Sequence, residues 1–384
     1  MNKVTDSVFY VGVNDHTIDL FEGMYVVPNG VAYNSYVVED KEISVFDTVD
    51  AAYTEEWLAN VAEVLGDRQP KYLIVQHMEP DHSASIEKFV QKYPEAKVVG
   101  NAKTFVMLHQ FFNTDFTKHQ VVVADMDTLC TGEHTFTFVF APMVHWPEVI
   151  VTYDTADKVL FSADAFGKFS TLDVQEDWAD EARRYYFGIV GKYGAQVQAV
   201  LKKAAALEIQ SICPLHGPVL QGSTLTNALQ LYDTWSSYKA EESGVVIAHA
   251  SVYGNTREAA FQLAKQLEAK GVKVVLHDLT REDISAALAD AFRYDRLVLA
   301  AATYNADVFP PMKTFLHWLT ERGYRSRTIG LIENGSWAPM AGKVMRTAME
   351  GCKDVDILEP LVSIRSALNE ETTAQLNALA DALA

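Results

Sequence analysis

Cysteine is scarce in this chain. Its 384 residues include only Cys130, Cys213 and Cys352, odd in number and far apart, which excludes a disulfide framework and any Cys-x-x-Cys metal site. Any metal must therefore be held by His and carboxylates. Base is in short supply too: 32 Lys and Arg against 51 Asp and Glu leave a formal charge of -19. No basic block stands out, so nucleic acid and anionic membrane surfaces are poor partners, because neutralising phosphates requires a basic face. No apolar run approaches the roughly 18 residues of a membrane span. Met1 to Val13 alternates polar and apolar residues and lacks the apolar stretch of a signal peptide. The expected compartment is the cytoplasm.

The chain is longer than a usual single domain, which predicts two domains of roughly 100 to 250 residues each. Apolar residues at 49% and charged residues at 22% fit a soluble globular protein and give no case for disorder. From Val8 to about Phe46, short alternating runs separated by turn residues predict strands and hairpins. Helical periodicity at Thr54 to Leu65, Ile86 to Tyr93 and Phe105 to Phe112 alternates with the apolar runs Tyr72 to Val75 and Lys97 to Val99. Thr135 to Phe140 and Val159 to Phe161 read as further strands, and Trp178 to Ala206 as one helical stretch. The first half is thus mixed, with helices expected to cover its strands from outside.

Near Ser243-Gly244 the pattern becomes a regular beat of short apolar strand, loop and amphipathic helix. The boundary is placed there, giving domains 1–243 and 244–384. The expected strands are Val245 to Ala248, Lys273 to Leu276, Leu297 to Ala300, Thr328 to Ile332 and Asp356 to Val362, with a last helix over Glu370 to Leu383. Such alternation predicts a doubly wound parallel sheet with a ligand at the carboxyl ends of its strands.

The densest chemical signal is His77-Met78-Glu79-Pro80-Asp81-His82, directly after a predicted strand. So many potential ligands in so short a segment cannot share one face of a regular helix or strand, so the segment reads as a loop wrapped round metal. His145, Asp164 and His216 each stand where an apolar strand gives way to a loop. Polar residues at strand exits converge on one edge of a sheet, where they complete a site. Four His and three carboxylates without thiolate suit a dinuclear centre and lean towards iron or manganese.

A second signal follows the first strand of the second domain. Ser251, Val252, Tyr253, Gly254, Asn255 and Thr256 lead into a helix expected to start near Arg257. Backbone N–H groups at a helix N-terminus, together with the Ser251 and Thr256 hydroxyls, suit a phosphate, and Gly254 permits close backbone approach. The loop has no Lys, which disfavours a Walker-type triphosphatase. Two more strand-end loops fit, Ala302 to Asp307 with Thr303, Tyr304, Asn305 and Ala306, and Glu333 to Ala338 with Asn334, Gly335, Ser336 and Trp337. Tyr304 and Trp337 are the candidates for stacking on a ring.

The N-terminal half resembles the metallo-β-lactamase fold, an αββα sandwich. The form His-x-Glu-x-Asp-His, with Glu79 where the hydrolases usually carry His, resembles the flavodiiron proteins, or A-type flavoproteins. The second half is similar to flavodoxins, whose phosphate loop binds FMN. The resemblance implies an oxidoreductase with two non-heme irons per subunit. His77, Glu79 and His145 would bind one iron, Asp81, His82 and His216 the other, and Asp164 would bridge. It also implies transfer of electrons from FMN to that centre, reducing O2 to water or NO to N2O. His145-Trp146-Pro147-Glu148 resembles the family as well, with Glu148 where Asp is expected. A head-to-tail homodimer, or a dimer of such dimers, is implied, with FMN of one subunit beside the diiron centre of the other. No rubredoxin-like segment follows the last helix, so a separate donor is expected, rubredoxin or coenzyme F420. The rival reading is a dinuclear metallohydrolase with an accessory flavodoxin-like module.

Overall fold

The computed structural model describes residues 2–384. Tertiary contacts divide the chain into two units, one running to Tyr186 and including Ala195–Asp233, the other formed by Phe187–Gly194 and Thr234–Ala384. Each carries its own sheets and its own core.

The first unit is built on two sheets whose spatial order follows the chain. One runs Asn2–Lys3, Val8–Tyr10, Tyr36–Val38, Ile43–Phe46, Pro70–Ile74, Lys97–Gly100, Gln120–Val122. It is antiparallel up to Ile43–Phe46 and parallel from there on. The other runs Thr128–Cys130, Thr135–Phe140, Ile150–Asp154, Val159–Phe161, Ser211–Cys213, Leu220–Gln221. Alternate residues of both sheets, among them Tyr36, Val38, Phe46 and Ile74 from the first and Phe138, Ile150 and Phe161 from the second, close one apolar core. The opposite face of the first sheet, with Val37, Val45, Leu73 and Val98, is equally buried. A sheet apolar on both faces needs a covering layer, supplied by the helices Thr54–Leu65, Ile86–Lys92 and Ala102–Phe111. At the centre of the core Phe46 stacks on Phe161 with ring centroids 3.9 Å apart. Burying one such ring contributes roughly 1.5–3 kcal/mol.

That stacking pair positions the site. Thr135–Phe140, Val159–Phe161 and Ser211–Cys213 all run in one direction, since two antiparallel steps separate the first two and the last two are parallel. Their carboxyl ends therefore share one edge, and the loops carrying His145, Asp164 and His216 leave from it. In the facing sheet Ile43–Phe46 and Pro70–Ile74 end together, at Asp47 and His77. Phe46 and Phe161 pack the two edges against each other, and Ile150 N donates to Gln76 O at 3.0 Å to tie them.

The second unit has the parallel strand order Val274–Asp278, Glu242–Ala250, Tyr294–Tyr304, Thr328–Asn334, with Asp356–Ile357 and Val362–Ile364 both pairing with Thr328–Asn334. The expected single last strand is broken at Pro360, which cannot donate to a ladder. Helices Asn255–Ala269 and Glu370–Leu383 pack on the sheet through Leu263, Leu267, Leu376 and Leu379. This is the doubly wound arrangement read from the alternation.

The stretch from Trp178 to Ala206 is not one helix. It consists of an α-helix Trp178–Tyr185, a π turn Tyr186–Val190, a 3-10 turn Gly191–Tyr193 and an α-helix Gly194–Ala204. The break follows from packing. Phe187 stacks on Phe292 at 4.2 Å, and the Arg322 guanidinium donates to the Gly188 carbonyl at 3.0 Å. A side chain at Gly194 would meet Ser236 O at 2.4 Å, so only glycine allows this approach. Among the described residues no helix is long and apolar enough to cross a membrane.

Candidate metal centre and ligand cradle

The His77 segment is held by the end of the neighbouring strand. Asp47, fully buried, accepts the backbone N–H of Gln76 at 2.7 Å and of His77 at 3.3 Å, and the Gln76 side-chain amide at 3.0 Å. Burial pushes its carboxyl up to about 6 in spite of these bonds. Thr48 donates through both its backbone N–H and its hydroxyl to the His82 carbonyl, and Ser83 Oγ donates to Met78 O at 2.8 Å. The segment is not wholly a loop: Pro80–Ser83 forms one helical turn with Pro80 at its start. Proline's fixed φ and missing N–H suit that position. Backbone strain gathers round the site, with Asp47, Met143, Ala163 and Phe166 at φ +51, +64, +51 and +68. Left-handed non-glycine residues cost roughly 1–3 kcal/mol each and persist where the surroundings over-determine them.

All seven residues singled out in the sequence come together, as two groups. The ligating atoms of His77, Glu79, His145 and Asp164 lie within 4.8 Å of one another, and so do those of Asp81, His82 and His216. In the first, His145 Nε2 is 3.0 Å from both Glu79 Oε2 and Asp164 Oδ2, and His77 Nε2 is 3.2 Å and 3.3 Å from them. In the second, Asp81 Oδ2 is 3.4 Å from His82 Nε2 and 3.3 Å from His216 Nε2. Asp164 joins them: Oδ2 faces the first group, while Oδ1 faces His82 at 3.3 Å and His216 at 4.0 Å.

The donor set fits a pair of cations. Both oxygens of Asp81 and of Asp164 are buried without a hydrogen-bond partner among the described residues, a costly state unless a charge satisfies them. Burial opposes ionisation throughout, yet neighbouring charges win. The charge of His77 and the close imidazoles of His145 and His82 hold Asp164 well below the usual carboxylate range. Glu79 is lowered by its bonds to His145 and His77. His77 is raised by Asp164, and His145 is raised to about 9 by Asp164 and Glu79. Seven N and O donors, with Glu79 and Asp164 held as anions, suit two borderline or hard metal ions.

Four surrounding residues escaped the sequence reading. Glu148 Oε1 lies 2.8 Å from His77 Nδ1 and accepts Met78 N–H at 2.8 Å. Asp47 is the anchor already described. Tyr185 packs on His216 at 5.4 Å, its hydroxyl buried and its proton retained by burial and by Asp164, Glu79 and Asp81. Glu22, at φ +48 in the turn between Leu20–Phe21 and Tyr25–Val26, is exposed at the surface, yet desolvation and the Glu79 charge raise its carboxyl to about 7. Asp47 left a signal as a carboxylate at a strand exit, and Glu148 stood out beside His145 without a role. A third His and carboxylate group, His134, Asp154 and Asp157, is already hydrogen-bonded: His134 pairs with Asp154 at 2.8 Å, and the Thr5 and Ser7 hydroxyls donate to Asp157.

In the second unit a cavity of about 690 Å³ opens at the carboxyl ends of Glu242–Ala250, Tyr294–Tyr304 and Thr328–Asn334. Ser251, Val252, Tyr253, Asn255 and Thr256 line it from the first loop; Thr303, Tyr304, Asn305 and Ala306 from the second; Asn334, Gly335, Ser336 and Trp337 from the third. Gly254 does not line it. At φ +101 it caps the helix Asn255–Ala269, which begins two residues before the expected Arg257, and its N–H donates to Ser251 Oγ at 3.0 Å. Ala302 and Ala338, at the ends of the same two loops, complete the walls together with Met340 and Ser366, which were not foreseen. Ser366 N–H donates to Asn334 Oδ1 at 3.1 Å and its carbonyl accepts Asn334 Nδ2 at 2.9 Å, which fixes the third loop. Tyr253 and Trp337 are 95% and 81% exposed. A helix N-terminus at one end and aromatic rings at the other fit a phosphorylated planar ligand.

Fold and site thus define a class: a lactamase-fold unit with a dinuclear His and carboxylate cluster, joined to a flavodoxin-like unit with a phosphate and ring cradle. Comparisons agree. The ODP family beta lactamase profile matches residues 31–217 and the flavodoxin profile residues 247–373. The rubredoxin-oxygen oxidoreductase of Megalodesulfovibrio gigas is 27% identical, the alignment covering 100% of this chain and 97% of that protein. A nitric oxide reductase of Moorella thermoacetica is 26% identical over 93% of this chain and 91% of its own length. The flavodiiron protein of Giardia intestinalis superposes with a TM-score of 0.91 at 25% identity, covering 99% of this chain and 95% of that one. The chain belongs to the flavodiiron protein family.

Proposed function

We propose that this protein is an oxidoreductase that passes electrons from FMN to a non-heme diiron centre, which reduces dioxygen to water, nitric oxide to nitrous oxide, or both. The observation that carries the reading is Asp164, whose two carboxylate oxygens each face one of two separate ligand groups. In this reading His77, Glu79 and His145 hold one iron, Asp81, His82 and His216 the other, and Asp164 bridges. When bound, FMN and the irons supply the electrons and the open coordination positions that the reduction needs.

The chain's own residues define the surroundings. Phe21, Tyr33 and Tyr185 wall His216, and Trp146 stands edge-on to His77 at 5.2 Å, restricting water. The Tyr185 hydroxyl, protonated and unpartnered beside the acids, is a donor for an oxygen of the bound substrate. The N-terminus of Asn255–Ala269 with Ser251 and Thr256 takes the FMN phosphate, while Tyr304 and Trp337 meet the ring. The diiron half takes in residues 1–243 except the segments 187–194 and 234–243, which pack with the FMN half, 244–384. In this reading the protein is cytoplasmic, is served by a separate donor, rubredoxin as in the name of one relative or else coenzyme F420, and works as a head-to-tail homodimer or dimer of dimers. The exposed Tyr253 and Trp337 support such an assembly.

Metal and flavin analysis tests this. Roughly two irons and one FMN per chain are expected. Stoichiometric zinc without flavin would overturn the reading in favour of a dinuclear hydrolase.

A further inference from the structure

Three histidines of the cluster, His77, His82 and His216, are held from behind in unequal ways. His216 Nδ1 donates to the Ala32 carbonyl at 2.8 Å. His82 Nδ1 is buried with no hydrogen-bond partner among the described residues. His77 Nδ1 alone meets a carboxylate, Glu148, at 2.8 Å. In front of the rings the two groups are alike, each with two imidazoles, one carboxylate of its own and one oxygen of Asp164. The difference between them lies behind.

The Glu148 and His77 side chains are both fully buried. Glu148 Oε1 also accepts the Met78 N–H, while Oε2 has no partner. Its own carbonyl accepts Asn101 Nδ2 at 2.7 Å, fixing its backbone. A carboxamide would fill the same space and accept the same two hydrogen bonds with one oxygen. What the carboxylate adds is charge, at the back of a single ligand. A carboxylate behind a ligating imidazole holds the proton on the outer nitrogen, directs the inner lone pair at the metal and raises the ligand's basicity.

We propose that Glu148 is a positioning residue that fixes His77 as an Nε2 ligand. Its charge makes the iron at His77, Glu79 and His145 the more firmly held and the harder to reduce of the two. This rests on the diiron reading. The test compares holoprotein with E148Q, E148D and E148A by iron content, release of iron to a chelator, and a potentiometric titration followed by Mössbauer spectroscopy. For E148Q we expect an unchanged melting temperature and both irons, with one of them raised in potential and released roughly 10- to 100-fold faster. E148D, which keeps the charge, should lie nearer the native protein than E148Q. E148A should retain about half the iron; if it fails to fold, E148Q and E148D decide alone. An E148Q protein with native potentials and native release of both irons would reduce Glu148 to a packing residue and overturn the proposal. Native protein without an iron pair would sink the diiron reading itself, and that outcome is visible before any variant is made.

Discussion

The metal cluster and the flavin cradle place their polar groups by opposite means. Round the metals almost everything is an ionisable side chain under full cover: His77, His82, His216 and Asp164 are 0% exposed, and Asp47, Glu148 and Ala32 hold them from behind. The cradle relies on a helix N-terminus, small hydroxyls and exposed rings, with Trp337 81% exposed. Buried charges must be exact in number and partner, because each unmatched one is expensive. Backbone amides and aromatic faces serve with many side chains. The first site should therefore fail abruptly on substitution and the second by degrees.

The sharpest way to break that contrast is Asp164→Ala. It removes the one group facing both ligand sets, and more than ~100-fold loss of reductase turnover is expected together with loss of iron, while FMN stays bound. Full iron occupancy by elemental analysis would remove the bridging role. Thr256→Val should do the converse on a smaller scale, weakening FMN about 10-fold in a flavin titration with the metal in place. Unchanged affinity would count against the phosphate loop. Trp337→Ala should cost less, about 3- to 10-fold in FMN affinity.

What the sequence made legible follows the same division. The seven metal-facing residues stood out because a dinuclear centre demands rare side chains at strand exits, and parallel strands must bring those exits to one edge. Glu148 did not, although it was noticed beside His145, because its partner His77 lies 71 positions away and only the fold joins them. Tyr185 and Glu22 are ordinary residues until packing aims them at the cluster. The interrupted 178–206 stretch was unreadable for a related reason: its helical pattern is sound locally and is overridden by Phe187 and Gly194 docking elsewhere. In the second unit the loops were found from their place after strands. Ser366 was missed because its contribution is a hydrogen-bonded clamp on Asn334.

Among the buried ionisable groups of the flavin half, His277 gives the smallest predicted effect. His277 sits between Glu282 and Asp290, each at 2.9 Å. Burial opposes its charge, but hydrogen bonds to Asp290 and Glu282 outweigh burial and raise its pKa. A raised value in the folded state means stabilisation that is complete below about pH 6.5, the unfolded value, and is lost as pH rises through the folded one. The urea-unfolding difference between native protein and His277→Gln should be on the order of 1 kcal/mol at low pH and shrink above it. A difference independent of pH would mean that the imidazole is neutral.

The central claim is that the two sites work on one substrate. The direct measurement is anaerobic: the protein is fully reduced, then mixed separately with dioxygen and with nitric oxide while the flavin spectrum and the products are followed. The account predicts fast flavin reoxidation with water or nitrous oxide as product. Slow reoxidation releasing mainly peroxide would show a flavin that takes no part in the chemistry of the metal centre, and would contradict it.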